Sequence, residues 1–296
     1  MAFDEGPSPE QAKPRSAYEQ SVVGLVDKTL NLWGRKLPQY IIMVGLTGVA
    51  IVVFQTIILL AMFGVSGYYL LEFIGTSPLD SVFSLLMYQF TIEYLLVIFS
   101  LSTLGLVIYA IVAGGAIHYA LTDYENPGSG AIGESLSFAA NHAIPLIGVQ
   151  LLQSLIIVGL AVLSSLVSFD ILIYLAMTIL ILYISVRLAP AQAIVIAEER
   201  SPVNALKRSW QVTGGLFWHV FFGQLLIGIV VVIIDFGVIF VLGLILPFIV
   251  ADVLMVIFVI TSVSSLAISS ISYIYLAVLY KDLEARGTAG DFSWWQ

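Results

Sequence analysis

Residues 217–246 read FWHVFFGQLLIGIVVVIIDFGVIFVLGLIL, and the only formally charged side chain in the run is Asp235. A helix needs about 20 predominantly apolar residues to cross a hydrocarbon core about 30 Å thick. This run exceeds that length and offers water almost nothing to solvate. Composition says the same of the whole chain. Of its 296 residues 60% are hydrophobic and only 10% are charged, with a mean hydropathy of +1.04. Soluble domains carry roughly 25% charged residues, because a water-facing surface needs them. A perimeter facing lipid does not, and that is the reading adopted here.

Five further runs have the same character. Residues 41–63 carry no charge at all, and residues 94–121 follow a polar segment holding Glu72, Asp80 and Glu93. Residues 144–169, 171–196 and 253–280 complete the set. Several exceed the minimum, so tilt, bending or projection beyond the bilayer is expected. The predicted fold is all-α, an integral membrane bundle of six transmembrane helices.

Orientation follows from the 11 Lys and Arg residues. Lys13, Arg15, Lys28, Arg35 and Lys36 precede the first run; Arg187 lies near the end of the fourth; Arg200, Lys207 and Arg208 follow it; Lys281 and Arg286 follow the sixth. The loops after the first, third and fifth runs hold Glu72, Asp80, Asp170 and Asp252 instead, with no basic residue. Basic residues stay on the cytoplasmic side, which predicts a multi-pass cell-membrane protein with both ends in the cytoplasm. Five or seven spans would put the basic C-terminal segment outside, against the same rule.

The stretch SPVNALKRSWQVTGG, from Ser201 to Gly215, predicts a short helix lying in the membrane interface. Ser201 suits an N-cap, Pro202 the first turn, and Gly214 and Gly215 a stop. Val203, Leu206 and Trp210 share one face; Asn204, Lys207, Arg208 and Gln211 share the other. Before the first span, SVVGLVDKTLNLWGRKLP has the same plan, aligning Ser21 with Ser201, Val23 with Val203, Thr29 with Ser209 and Gly34 with Gly214. SGAIGESLSFAANHAIP before the third span is a weaker copy. The expectation is three repeats, each an interfacial amphipathic helix followed by a two-span hairpin, over about residues 18–122, 129–198 and 201–287. The competing explanation is that any interfacial helix leading into a span looks this way. Residues 1–17, polar and rich in Pro, read as a disordered cytoplasmic tail without the apolar core of a signal peptide, and residues 288–296 as a second tail.

One constellation is familiar. Arg187, Ala189, Pro190, Ala191 and Glu198, then Ser201-Pro-Val-Asn-Ala-Leu-Lys-Arg-Ser-Trp, then Tyr280-Lys-Asp-Leu-Glu-Ala-Arg286, form a set. It resembles the membrane-domain family of glycerophosphoryl diester phosphodiesterases and related prokaryotic multi-pass membrane proteins, over roughly residues 18–287. In some relatives that membrane part precedes a soluble phosphodiesterase built as a TIM barrel. The chain ends soon after Arg286, so that catalytic domain is expected to be absent, and the resemblance implies no catalytic residues.

Two residues are candidate polar intramembrane sites. Asp235 lies in IVVVIIDFGVIF, and a carboxylate in lipid costs several kcal/mol unless it is paired, neutral or wet. Counted from Phe217 it sits about 27 Å along the helix, so it is either functional or simply hydrated near the far interface. Arg187 either snorkels to the headgroups or pairs with a carboxylate or lipid phosphate inside the bundle, with a bend and a polar pocket expected at Pro190. The two depths disagree, so they are not expected to pair. Arg200, Lys207, Arg208, Lys281 and Arg286 form a basic collar that either binds anionic headgroups or a partner, or anchors topology, or is paired locally by Asp282 and Glu284. Serines at 262, 264, 265, 269, 270 and 272 suit close helix packing or a hydrophilic conduit.

The chemistry these residues exclude is broad. A net charge of −8 and a pI of 4.7 oppose a nucleic-acid role. The absence of Cys rules out disulfides and thiolate sites. His118, His142 and His219 have no metal-ligand spacing, and no nucleophile–base motif or phosphate-binding loop occurs. No cofactor, metal or catalytic residue is expected. The leading expectation is a non-enzymatic scaffold, partner or regulator in envelope or lipid homeostasis, in contact with membrane lipids and with room for a protein partner in the membrane. The rival is a transporter or channel for a small solute or lipid.

Overall fold

The structure is a computed structural model that describes residues 15–45, 92–166, 171–245, Phe248 and 253–287. Residues 1–14, the C-terminal tail, most of the expected first span and, apart from Phe248, the three expected hairpin tips lie outside the described residues. Among the described residues every regular element is a helix.

A 3-10 turn at Arg15–Tyr18 precedes α1 (Val22–Arg35) and the single-turn α2 (Leu37–Tyr40, with Pro38 in its first turn). The Ser21 hydroxyl caps α1, accepting from the Gly24 amide at 3.0 Å. α3 (Ile92–Glu125) is followed by the interfacial-length α4 (Ile132–Asn141) and the long α5 (Ala143–Leu166). α6 (Ile171–Leu188) and α7 (Ala191–Glu198) are one expected span broken in two. α8 (Pro202–Val212) precedes α9 (Phe217–Ile245) and α10 (Val253–Gly287). Four segments are long and apolar enough to cross a membrane: Thr103–Glu125, Ala143–Ser164, Leu172–Glu198 and Phe217–Ile245. They fall on the second to fifth expected spans, and α10 covers the sixth.

These spans play unequal parts. α3 packs against α4, α5, α7 and α10, and its Thr103–Glu125 span is mostly buried. α5, α6 and α9 are exposed along most of their length and coated with Leu, Ile, Val and Phe. A helix apolar all round has no face that prefers water, so such helices suit a lipid surround. The core lies toward the end of the bundle where α1, α7 and the C-terminal halves of α3 and α10 meet, around Leu25, Ile117, Ile194, Ile274 and Leu279.

The break between α6 and α7 has a local cause. Pro190 has no amide hydrogen and cannot continue the helical ladder, which strands carbonyls behind it. Side chains recover them: Ser209 Oγ donates to the Arg187 carbonyl at 2.8 Å, and Gln153 Nε2 donates to the Leu188 carbonyl at 2.6 Å. α7 ends at Glu199, which adopts the left-handed conformation with φ 50°.

α8 begins and ends where the sequence places it, with Gly215 at φ 74° past its end. Two details differ. The Ser201 hydroxyl makes no capping bond. The face turned to the protein is Ala205, Ser209 and Val212, while Val203 and Trp210 are exposed. Small side chains permit close helix approach; Leu206 packs partly against the core, and Trp210, though partly exposed, covers the Arg187 guanidinium.

Candidate functional site

The arginine at the end of α6 is only 9% exposed, held there by the helix break that turns its carbonyl toward α8. Its guanidinium stacks on Trp210, with Cζ 4.5 Å from the ring centroid, and lies 5.8 Å from the Tyr183 centroid. Nη1 donates to Thr213 Oγ1 at 3.4 Å. Nε is buried without a hydrogen-bond partner, and among the described residues no carboxylate pairs with Arg187. A buried guanidinium stacked on aromatic rings but lacking a counter-ion is a cation still short of an anion.

Six other basic residues, Arg35, Lys36, Arg200, Arg208, Lys281 and Arg286, have carboxylate partners. Glu198 receives Arg200 and, at 3.2 Å, Arg208, and accepts from the Tyr280 hydroxyl at 3.3 Å. Lys281 pairs with Glu125 at 2.6 Å and Glu284 at 3.0 Å. Burial of Lys281 opposes its charge, but the two carboxylates outweigh that and raise its pKa above the ordinary lysine value. Arg286 pairs with Asp282 at 3.0 Å and donates to the Gln20 carbonyl. Of the five collar cations, Lys207 alone has no carboxylate partner among the described residues. The pairs join α7, α8, the C-terminal ends of α3 and α10, and the segment before α1, so these elements share one end of the bundle.

Two fully buried carboxylates anchor that end. Asp282 accepts from the Gln20 amide at 2.6 Å and His219 Nε2 at 2.8 Å besides Arg286. Asp123 receives Arg35 at 3.4 Å, Lys36 at 3.7 Å and the Gly128 amide at 2.8 Å. Charged side chains of this kind stay buried only when paired and hydrogen-bonded. Asp123 was not singled out in the sequence; its signal is a carboxylate near the C-terminal end of an otherwise apolar helix, with cations waiting at Arg35 and Lys36.

Asp235 stands apart. It is half-buried on α9 between the exposed Ile233 and Phe236, and no ion pair or hydrogen bond reaches it among the described residues. It does not meet Arg187. The histidines are spent on local contacts: His118 on Ser135 Oγ at 3.1 Å, His142 on Glu199 at 3.4 Å, and His219 on Asp282.

A cavity of about 410 Å³ opens where α3, α5, α6, α7, α9 and α10 converge beside the Pro190 break. Its polar groups are the amides of Gln153, Gln192 and Gln224, the hydroxyls of Ser185 and Ser272, and three tyrosines. Neither Asp235 nor Arg187 lines it. Of the serines in α10, Ser272 lines this cavity and Ser270 accepts from Trp33 Nε1 at 3.0 Å, while 262, 264 and 265 lie outside the residues whose side chains are described. The glutamines were missed in the sequence; an amide within an apolar span is the signal that points to them.

No curated protein and no solved structure matches the chain. Residues 161–283, a shorter stretch than the motifs suggested but one that holds Arg187, the Pro190 break, Glu198 and Asp282, match the family model of the membrane domain of glycerophosphoryl diester phosphodiesterase.

Proposed function

We propose that this chain is a non-enzymatic multi-pass membrane protein that holds an anionic lipid headgroup against Arg187, serving as a scaffold, partner or regulator in envelope or lipid homeostasis. The observation that carries the reading is the guanidinium of Arg187, buried between Trp210 and Tyr183 with no carboxylate among the described residues. A bilayer supplies phosphates at that level, and a guanidinium binds phosphate through two parallel hydrogen bonds. The collar, closed by its own carboxylates, then acts chiefly as a topology anchor.

The reading includes six spans with both ends in the cytoplasm, built as three units. Two regularities support the units. Counting from Ser21, Ala131 and Ser201, the fourth and eighth following residues are buried in every case: Leu25 and Thr29, Ser135 and Ala139, Ala205 and Ser209. An acid closing each unit also pairs with a base at that unit's own elbow: Asp123 with Arg35 and Lys36, Glu199 with His142, Asp282 with His219.

The test is lipid retention through purification into neutral detergent, followed by rebinding from vesicles of phosphatidylglycerol in phosphatidylcholine. Arg187→Gln is expected to reduce rebinding about tenfold, the loss of one charge-assisted contact. Equal rebinding by wild type and Arg187→Gln would refute the reading. The cavity favours a second reading, a transporter or channel for a small solute or lipid. Flux into proteoliposomes that disappears in Gln224→Leu would support it.

A further inference from the structure

We propose that the cavity beside the Pro190 break binds an uncharged lipid that carries a free hydroxyl and ester groups, a neutral glycerolipid of the diacylglycerol type, taken up from the surrounding leaflet. This site is separate from the Arg187 surface and does not depend on it.

Three features define the occupant. First, charge: among the described residues the polar lining consists of amides and hydroxyls, with no carboxylate, amine or guanidinium. An ion entering it would lose its hydration with no counter-ion to replace it, whereas hydroxyl and ester groups find both donors and acceptors. Second, a mixed wall: Tyr109, Tyr273 and Tyr275 line the site beside Gln192 and Gln224, so donors and acceptors stand next to aromatic surface. The Tyr275 hydroxyl itself packs against Gly223, where a Cβ would stand 2.5 Å from it.

Third, depth and shape. Gln153 lies ten residues into α5 and Gln224 seven into α9, about 15 Å and 10 Å along helices that start at the basic end. In a core about 30 Å thick that lies within the acyl region and close to the midplane, a depth open to an uncharged lipid and costly for an ion. Ile157, Ile227, Val231 and Leu276 supply an apolar side, suited to an acyl chain. The volume, about 410 Å³, lies within the usual range for small-ligand pockets and admits the glycerol backbone with the start of its chains.

The experiment uses the full chain in phosphatidylcholine nanodiscs with a photoactivatable diacylglycerol. Labelling is expected on peptides of α9 and α10 that contain Gln224 and Tyr275, and unlabelled diacylglycerol should compete it at concentrations about tenfold below phosphatidic acid. Gln192→Leu and Gln224→Leu, which keep the volume, should each reduce labelling several-fold while Arg187→Gln leaves it unchanged. Equal competition by phosphatidic acid would overturn the assignment of an uncharged ligand. Displacement by millimolar glycerol would overturn the assignment to a lipid. Labelling that ignores both glutamine variants would overturn the site itself, and the wild-type competition decides the matter even where a variant fails to fold.

Discussion

Replacing Asp282 with Asn removes a charge at a point where three separate parts of the chain meet. The carboxylate is fully buried and accepts from the Gln20 amide at 2.6 Å, His219 at 2.8 Å and Arg286 at 3.0 Å. Hydrogen bonds to a charged group contribute about 1.5–3 kcal/mol each, and neutral ones about 1 kcal/mol. Asparagine keeps one acceptor oxygen, turns an NH₂ toward a donor, and leaves the Arg286 guanidinium without its counter-ion. Breaking a buried pair from one side costs about 3–5 kcal/mol, and the same figure is expected here. In detergent the melting transition of Asp282→Asn should fall by roughly 10 °C. Lys207→Gln, an exposed site with no carboxylate partner among the described residues, should leave it within a degree or two. A double-mutant cycle with His219→Gln should show coupling above about 1 kcal/mol, because the two residues touch. A cost for Asp282→Asn below about 1 kcal/mol would refute the view that this carboxylate ties the N-terminal segment and the α8–α9 elbow to α10.

Other consequences concern packing and pH. A Cβ at Gly148 would meet the Pro202 ring at 2.5 Å, and a proline ring cannot turn aside, so Gly148→Ala should push α5 from α8 and lower stability by about 1–3 kcal/mol, read as a drop in melting temperature. The raised pKa of Lys281 stabilises the fold fully below the ordinary lysine value of about 10.4 and ceases to do so as pH rises through the folded-state value. The stability difference between wild type and Lys281→Gln should therefore be constant from about pH 7 to pH 10 and shrink only above it.

Much of this arrangement is legible in the residues, and the illegible part has one physical origin. Length and apolarity place α5, α9 and the α6–α7 pair within a few residues, because the cost of exposing backbone and charge to lipid is large and local. Pro190 predicts the break and a polar pocket there, since a missing amide hydrogen strands carbonyls wherever it occurs. On α8 hydrophobic periodicity does not say which face meets the protein, because it separates water from oil and cannot separate lipid from protein interior. Ala205 and Ser209 look like the poorer core residues, yet they face the protein while Val203 and Trp210 face outward. The same blindness hides Gln153, Gln192 and Gln224, which converge on one cavity from three helices far apart in sequence. The family match covers residues 161–283, the stretch in which the break, the arginine and the terminal acid occur together.

The chain contains no cysteine, so a single introduced thiol reports one position without background. Cysteines placed singly at Ser77, Ser168 and Ala251 mark the three proposed hairpin tips; at Ser129, Lys207 and Thr288 they mark the proposed cytoplasmic side. With a membrane-impermeant maleimide on intact cells, the first three should label at once and the last three only after the membrane is opened. Any tip that labels together with Lys207 and Thr288 would contradict three two-span hairpins with every cation kept to one side.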